Sequence, residues 1–352
     1  MFHLPDRLPD LRDQVVVVTG ASAGVGRAAA RLFGRRGADV ALIAREPDGL
    51  EEARAEVEAT GARAMAFPAD VADARAVEAA ADRIERELGP IAVWVNNAMV
   101  TLFCPVSELE PEEIRRVTEV TYLGTVHGTM AALSRMRTRD RGVIVQVGSA
   151  LAYRGIPLQS AYCGAKHAVR GFTDSLRTEL LHEGSGIELT HVHLPAINTP
   201  QFDWARTRRR KEPRPVAPVY DPAAAARAIV GAAESPAREY WVGGRTLLMI
   251  MANAVVPQLL DLMLARQAVE GQDRDSAVAP DRPDNLFEPV RGRHRTHGSF
   301  GDEAHPHAAI LSAPAGRLGS VIAGGLVIAG LTGLVVGSAL AAGGRADDRT
   351  HR

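Results

Sequence analysis

Apolar positions along the first two thirds of the chain fall into two alternating rhythms. Runs such as Val15 to Val18, Val40 to Ile43 and Val143 to Val147 are almost continuously apolar and rich in β-branched residues, the pattern of strands buried on both faces. Seven strands are expected, near 14–19, 39–43, 63–67, 91–95, 142–147, 187–193 and 239–242. Between them the spacing changes to a helical repeat over Arg27 to Arg36, Glu51 to Ala59, Ala74 to Leu88, Glu112 to Met136, Ala161 to Leu181 and Ala223 to Ala233. Strands alternating with helices in this way predict an α/β fold of the Rossmann-like kind. In it a doubly wound parallel sheet of about seven strands carries helices on both faces. The expected domain spans 1–268.

The pattern then changes. Leu247 to Leu260 is apolar but interrupted by Asn253 and Pro257, and too short for a membrane span. It could cover a substrate cleft, rest in a membrane interface or bury itself at a dimer contact. Gly271 to Gly316 is rich in Pro, Asp, Arg, His and Gly and has no sustained period, so 269–316 is expected to be a flexible linker. From Leu318 to Gly344 there is no charged residue, which exceeds the roughly 20 apolar residues that cross a bilayer. Gly325, Ala329, Gly333, Gly337 and Ala341 recur every four residues and would place small side chains on one helix face. A transmembrane helix over 317–345 with a polar tail at 346–352 is therefore expected. The competing reading is a buried or disordered Gly/Ala-rich tail, because glycine lowers both helix propensity and hydropathy. Arg317 faces Arg345 and Arg349 across the stretch, so no positive-inside bias decides the topology.

Charge narrows the partners. With 41 basic and 42 acidic residues the net charge is −1, and the basic residues are dispersed, which disfavours nucleic acid as a partner. The local exception is Arg206 to Arg214, read either as a solvated loop or as a contact for an anionic membrane surface or acidic substrate. Cys104 and Cys163 are the only cysteines, so a reducing compartment is expected and no disulfide framework is implied. Phe2 to Arg7 lacks the apolar core of a signal peptide. His294, His297, His305 and His307 lack the Cys or Glu spacing of a metal site, and no metal is assigned.

Two clusters carry candidate chemistry. The valine run leads straight into Thr19-Gly20-Ala21-Ser22-Ala23-Gly24-Val25-Gly26 and then a helix, a turn whose backbone amides can hold a pyrophosphate at the positive end of the helix dipole. Farther on, Tyr162 and Lys166 stand four apart on one helix face, thirteen residues and more beyond Ser149 at a strand end. An ammonium beside a phenol favours the phenolate and would bring a group of free pKa near 10 into range for proton transfer. Ser149 could hold the oxygen that Tyr162 protonates.

In this order the glycine turn and the Ser, Tyr, Lys set resemble the short-chain dehydrogenase/reductase family over about residues 10 to 265. Asp70-Val71, Asn96-Asn97-Ala98 and Pro195 to Thr199 fit the same resemblance. It implies that Gly20, Ser22, Gly24, Val25 and Gly26 hold the cofactor's pyrophosphate and that Asp70, with Val71, faces the adenine. It further implies that Asn97 and Ala98 line the cleft, with Pro195 and Thr199 near the nicotinamide. Tyr162 and Lys166 would serve both the chemistry and the cofactor. Two positions depart from the pattern. Met99 stands where the family usually has glycine, and Thr121 where it usually has the asparagine of a water-linked proton relay. Thr121 remains the candidate relay residue, with a hydroxyl but no amide.

Cofactor choice turns on the second strand's end, where Ala44 offers no acid for ribose hydroxyls and Arg45 offers a guanidinium suited to a 2′-phosphate. NADP(H) is expected over NAD(H). The expected function is hydride transfer between nicotinamide and a secondary alcohol or ketone, on a small and hydrophobic substrate. The alternative is a catalytically weak, NADP-binding membrane scaffold or sensor. A homo-oligomer formed through helices 112–136 and 160–181, and membrane association with the catalytic domain in the cytoplasm, complete the expectations.

Overall fold

The structure, a computed structural model, describes residues 10–312. The transmembrane helix expected at 317–345 therefore lies outside the described residues. Among the described residues no helix is long and apolar enough to cross a membrane.

The chain begins as β1 (Val15–Thr19), α1 (Gly24–Arg35), β2 (Asp39–Ala44), α2 (Pro47–Glu58), β3 (Ala64–Pro68), α3 (Ala74–Glu87) and β4 (Ile91–Asn96). After a two-residue strand β5 (Leu102–Phe103) come α4 (Pro111–Thr118) and α5 (Gly124–Met136), then β6 (Gly142–Ser149), α6 (Ser160–Glu183) and β7 (Ile187–Leu194). Short elements follow: β8 (Ala196–Ile197), α7 (Gln201–Trp204), β9 (Arg206–Thr207), β10 (Lys211–Pro213) and β11 (Val219–Tyr220). The rest is α8 (Pro222–Glu234), β12 (Glu239–Val242), α9 (Gly244–Val255), α10 (Pro257–Gln267), β13 (Asp273–Ala277), β14 (Ala304–His305) and β15 (Ile310–Ser312).

The main sheet has the order β15-β12-β7-β6-β4-β1-β2-β3. Its first seven strands in sequence pair in parallel, and β15 adds an antiparallel edge. The crossovers reverse between β1 and β4, and it is at such a switch point that a crevice opens beyond the strands' carboxyl ends. Val15 to Val18 are buried on both faces because helices cover each. α1, α2 and α8 pack Phe33, Leu50 and Ile229 against one face, and α3, α5 and α6 pack Ile84, Met136 and Leu176 against the other. Between β4, β6 and α5 a buried polar net joins Trp94, Asn96, Gln146 and Thr129, every bond 2.8 to 3.0 Å.

The helix expected over 112–136 is interrupted by a π-helical turn at Glu119–Leu123. Residues 269–312 also differ from expectation. They supply β13 to β10, β14 to β11 and β15 to the main sheet, and they bury Leu286 and Gln272 completely. The polar composition that suggested a flexible linker is instead consumed in hydrogen bonds and ion pairs to the domain, including Arg209 with Asp273 and Arg206 with Asp284. That also answers the basic run. Arg206 and Arg208 converge on the buried carboxylate of Glu113, and Arg214 pairs with Glu303, so these three charges are paired within the protein, while Arg210 and Lys211 are exposed.

Candidate active site

A cavity of about 770 Å³ runs along the carboxyl ends of the sheet strands, from the β1–α1 turn to helices α9 and α10. At one end lies the glycine turn. Gly20 and Gly24 hold positive φ of 65° and 56°, open to glycine without strain. Gly26 is constrained by space, since a Cβ there would fall 2.2 Å from the Gly20 carbonyl oxygen. Asn97 locks this turn to the end of β4, its amide donating to the carbonyls of Thr19 at 2.9 Å and Gly20 at 3.3 Å. The Thr19 hydroxyl in turn accepts from the backbone N–H groups of Asn97 and Ala98. Gly20, Ser22, Gly24 and Val25 line the cavity, and Asp70, Val71, Asn97 and Ala98 form the neighbouring wall. Gly26 supports the turn from behind. The first turn of α1 contains no acid to compete with an anion, so the cradle fits a dinucleotide pyrophosphate.

Ser149, Tyr162 and Lys166 meet in the middle of the cavity. Ser149 ends β6, its hydroxyl accepting from the Leu151 amide at 3.1 Å, and α6 brings Tyr162 and Lys166 to the same place. Lys166 is almost wholly buried, donates to the Val147 carbonyl at 2.7 Å and lies 5.7 Å from the centre of the Tyr162 ring. Burial holds its pKa down to about 8. The expectation that the lysine lowers the phenol's pKa is not met in this state. Burial pushes Tyr162 well above its ordinary value, and the Ser149 hydrogen bond offsets this only in part. Tyr162 is thus held as a neutral acid. Behind Ser149, burial lowers the His193 pKa to about 4, leaving a neutral imidazole against the Ser149 carbonyl at 3.3 Å.

Pro195 and Thr199 lie on the same wall, with Thr199 packed against Gly24. Met99 faces the cavity. Thr121 does not. Its hydroxyl donates to the Val100 carbonyl at 3.0 Å and accepts from the Val100 amide at 3.2 Å, so both of its roles are taken by backbone, and its side chain is fully buried. Thr121 ties the chain after β4 through its hydroxyl.

Arg45 and the neighbouring Glu46 both line the cavity. Glu46 turns into α2 and accepts from the N–H groups of Asp48 and Gly49 as a helix cap. The 247–260 run covers one end of the cavity, while Leu248, Val255 and Leu259 stay 63%, 46% and 64% exposed. Helices α9 and α10 close the far end of the cavity with Leu248, Met249, Ala252, Leu260, Met263 and Leu264. They dock on the loop after β6 through Asn253, which donates to the Tyr153 carbonyl at 3.0 Å and accepts from Arg154 at 3.2 Å. Sequence reasoning missed Asn285 and His294, which line the cavity, because nothing in a polar, aperiodic segment marks which residue will return to a distant rim.

The comparisons agree with this geometry. A family model described as short chain dehydrogenase matches residues 14–210. The uncharacterized oxidoreductase YxnA of Bacillus subtilis (strain 168) is 33% identical over 290 residues, covering 82% of each chain, so its likeness extends beyond the span of the family model. Dehydrogenase/reductase SDR family member 7B of Bos taurus is 35% identical over 195 residues, 54% of this chain and 59% of its own. Among solved structures, a putative short-chain alcohol dehydrogenase from Sinorhizobium meliloti 1021 aligns at 31% identity with a TM-score of 0.52, covering 54% of this chain and 75% of its own. NAD+-bound xylitol dehydrogenase aligns at 27% identity and the same TM-score, covering 54% and 72%. The glycine turn, the Ser149, Tyr162 and Lys166 cluster, and these likenesses together make the chain a member of the short-chain dehydrogenase family of oxidoreductases.

Proposed function

We propose that the protein is an NADP(H)-dependent reductase or dehydrogenase acting on a secondary alcohol or ketone carried by a hydrophobic small molecule. The observation that carries this reading is the meeting of Ser149, Tyr162 and Lys166 in a cavity that joins the glycine turn to an apolar end. When bound, the nicotinamide supplies or accepts the hydride. Tyr162 gives its phenolic proton to the substrate oxygen as the carbonyl is reduced and takes it back when the alcohol is oxidised. Ser149 holds that oxygen by a hydrogen bond, and Lys166, anchored on Val147, directs its positive charge toward the tyrosine and the cofactor's ribose. NADP(H) is favoured by Arg45 in the cavity wall and by the engagement of Glu46 in capping α2. A hydrophobic substrate is favoured by the six apolar side chains that α9 and α10 turn into the cavity.

A catalytically weak scaffold is favoured by one observation, the full engagement of the Thr121 hydroxyl with Val100. Tyr162→Phe decides between them. Loss of NADPH-dependent ketone reduction with nucleotide binding intact supports the enzyme, and unchanged turnover removes Tyr162 from the chemistry. Two sequence-based proposals stand beside this one. The uncharged stretch from Leu318 to Gly344 anchors the protein to a membrane, with the catalytic domain on the cytoplasmic side, and deletion of 318–352 should release it to the soluble fraction. Homo-oligomerisation through α4 to α6 would cover Met130 and Leu181, 62% and 73% exposed, and mass measurement of the truncated protein tests it.

A further inference from the structure

Residues 285–295 return from far along the chain to the rim of the dinucleotide cleft. Three successive carbonyls there accept from two guanidiniums. Arg45 donates to Asn285 at 2.6 Å and to Phe287 at 2.7 Å, while Arg116 donates to Leu286 at 3.0 Å. Farther along, Arg27 donates to the His294 carbonyl at 3.1 Å, and the Gly24 amide, in the first turn of α1, donates to the Arg295 carbonyl at 3.0 Å. The segment is also anchored by packing. Leu286 is fully buried in the core beneath the α3, α5 and α6 face, and the His294 ring packs against Trp204 at 5.3 Å, tilted by 39°. A side chain at Gly49 would collide with His294, 2.5 Å from its Cγ, so α2 is shaped to receive it. On its inner side the segment presents Asn285, Pro289, Val290 and His294 to the cavity, beside Arg45 and Asp70.

We propose that residues 285–295 are a component of the dinucleotide site, a strap that walls its adenosine end and positions Arg45 to receive the cofactor's 2′-phosphate. This rests on the reading of the cavity as an NADP(H) site. A guanidinium has five N–H donors, and Arg45 spends two on the strap, which leaves three for an anion. Both strap partners are neutral carbonyls, so the charge of Arg45 is oriented without being neutralised by them. Burial first, and then the like charge of Arg116, hold its pKa below the ordinary arginine value, while Asp70 and Glu288 pull the other way. Arg116 is itself paired with Asp70, which partly offsets its repulsion of Arg45, so a phosphate there would supply the counter-charge that Arg45 itself lacks from the strap. NADH, with no 2′-phosphate, would gain little from the same positioning.

The test compares NADPH and NADH binding by the full-length protein and by Leu286→Ala, Leu286→Asp and Arg116→Gln, using tryptophan-to-nicotinamide energy transfer and stopped-flow release. Hydrogen exchange over 285–295 reports whether each variant has loosened the strap. Expected are an NADPH release rate raised about tenfold or more and an NADPH-over-NADH preference reduced by a similar factor in every variant whose strap has loosened. A purely structural role would weaken both nucleotides equally, and that result would overturn the proposal. So would unchanged constants with a loosened strap, or tighter NADPH binding, which would make the segment a plug. If the wild-type protein binds neither nucleotide, the NADP(H) reading fails and takes the strap's role with it.

Discussion

Lys166 carries a charge in a place that resists it, and the cost is measurable in the free protein. Its pKa is held down to about 8 by burial, against 10.5 for the ordinary group. Protonated lysine is therefore less stable in the folded state than in the unfolded chain, and the penalty is present in full below pH 8 and disappears as pH rises through 10.5. Between those values the unfolded chain binds more protons, so folding stability contributed by this residue rises with pH. At about 1.4 kcal/mol per pKa unit, the change between pH 7 and pH 10 is about 2 to 3 kcal/mol. Lys166→Met keeps most of the stem and removes the titration. Urea unfolding of both proteins without nucleotide, at pH 7 and pH 10, reads the difference. Other alkaline titrations, such as that of Tyr153, whose pKa burial and Glu239 raise to about 12, occur in both proteins and cancel. The wild-type protein is expected to gain about 2 to 3 kcal/mol on the variant between the two pH values. A stability gap that stays constant to within about 0.5 kcal/mol, well under one pKa unit, would refute the reasoning.

Gly26→Ala forces a Cβ to within 2.2 Å of the Gly20 carbonyl oxygen, so the turn must open. Nucleotide affinity by energy transfer is expected to fall at least tenfold, with a stability loss of about 1–3 kcal/mol. Arg45→Ala removes a charge-assisted contact of about 1.5–3 kcal/mol and should weaken NADPH about 10- to 100-fold by titration, while NADH changes by less than threefold. Glu113→Ala removes the fully buried carboxylate that Arg206 and Arg208 share, leaving Arg206 with Asp284 and Arg208 with Glu110. Because both arginines are about one third exposed, the loss in denaturant unfolding should be about 2–3 kcal/mol, under the ~3–5 of a fully buried pair.

What could be read in the sequence was what local chemistry determines. The valine runs and the glycine turn gave seven parallel strands and the crevice at their carboxyl ends, because a strand buried on both faces must be apolar throughout and a pyrophosphate cradle must lack side chains. Ser149, Tyr162 and Lys166 were legible from their spacing on a strand end and one helix face. Their electrostatics were not, because the burial that raises Tyr162 and lowers Lys166 is set by tertiary packing, which spacing does not report. The Thr121 contact was not legible because it depends on its hydroxyl meeting the backbone of Val100, twenty-one residues earlier. The segment 269–312 lacked periodicity because it is held by individual arginine contacts and short edge strands rather than by a continuous apolar face.

The most direct test of the central claim is to titrate purified protein lacking 318–352 with NADPH and NADH, following tryptophan-to-nicotinamide energy transfer. A panel of hydrophobic ketones is then added to the same sample. The account predicts saturable binding that favours NADPH, followed by loss of nicotinamide absorbance with at least one ketone. Binding of neither nucleotide, or tight NADPH binding that no ketone discharges, would contradict it.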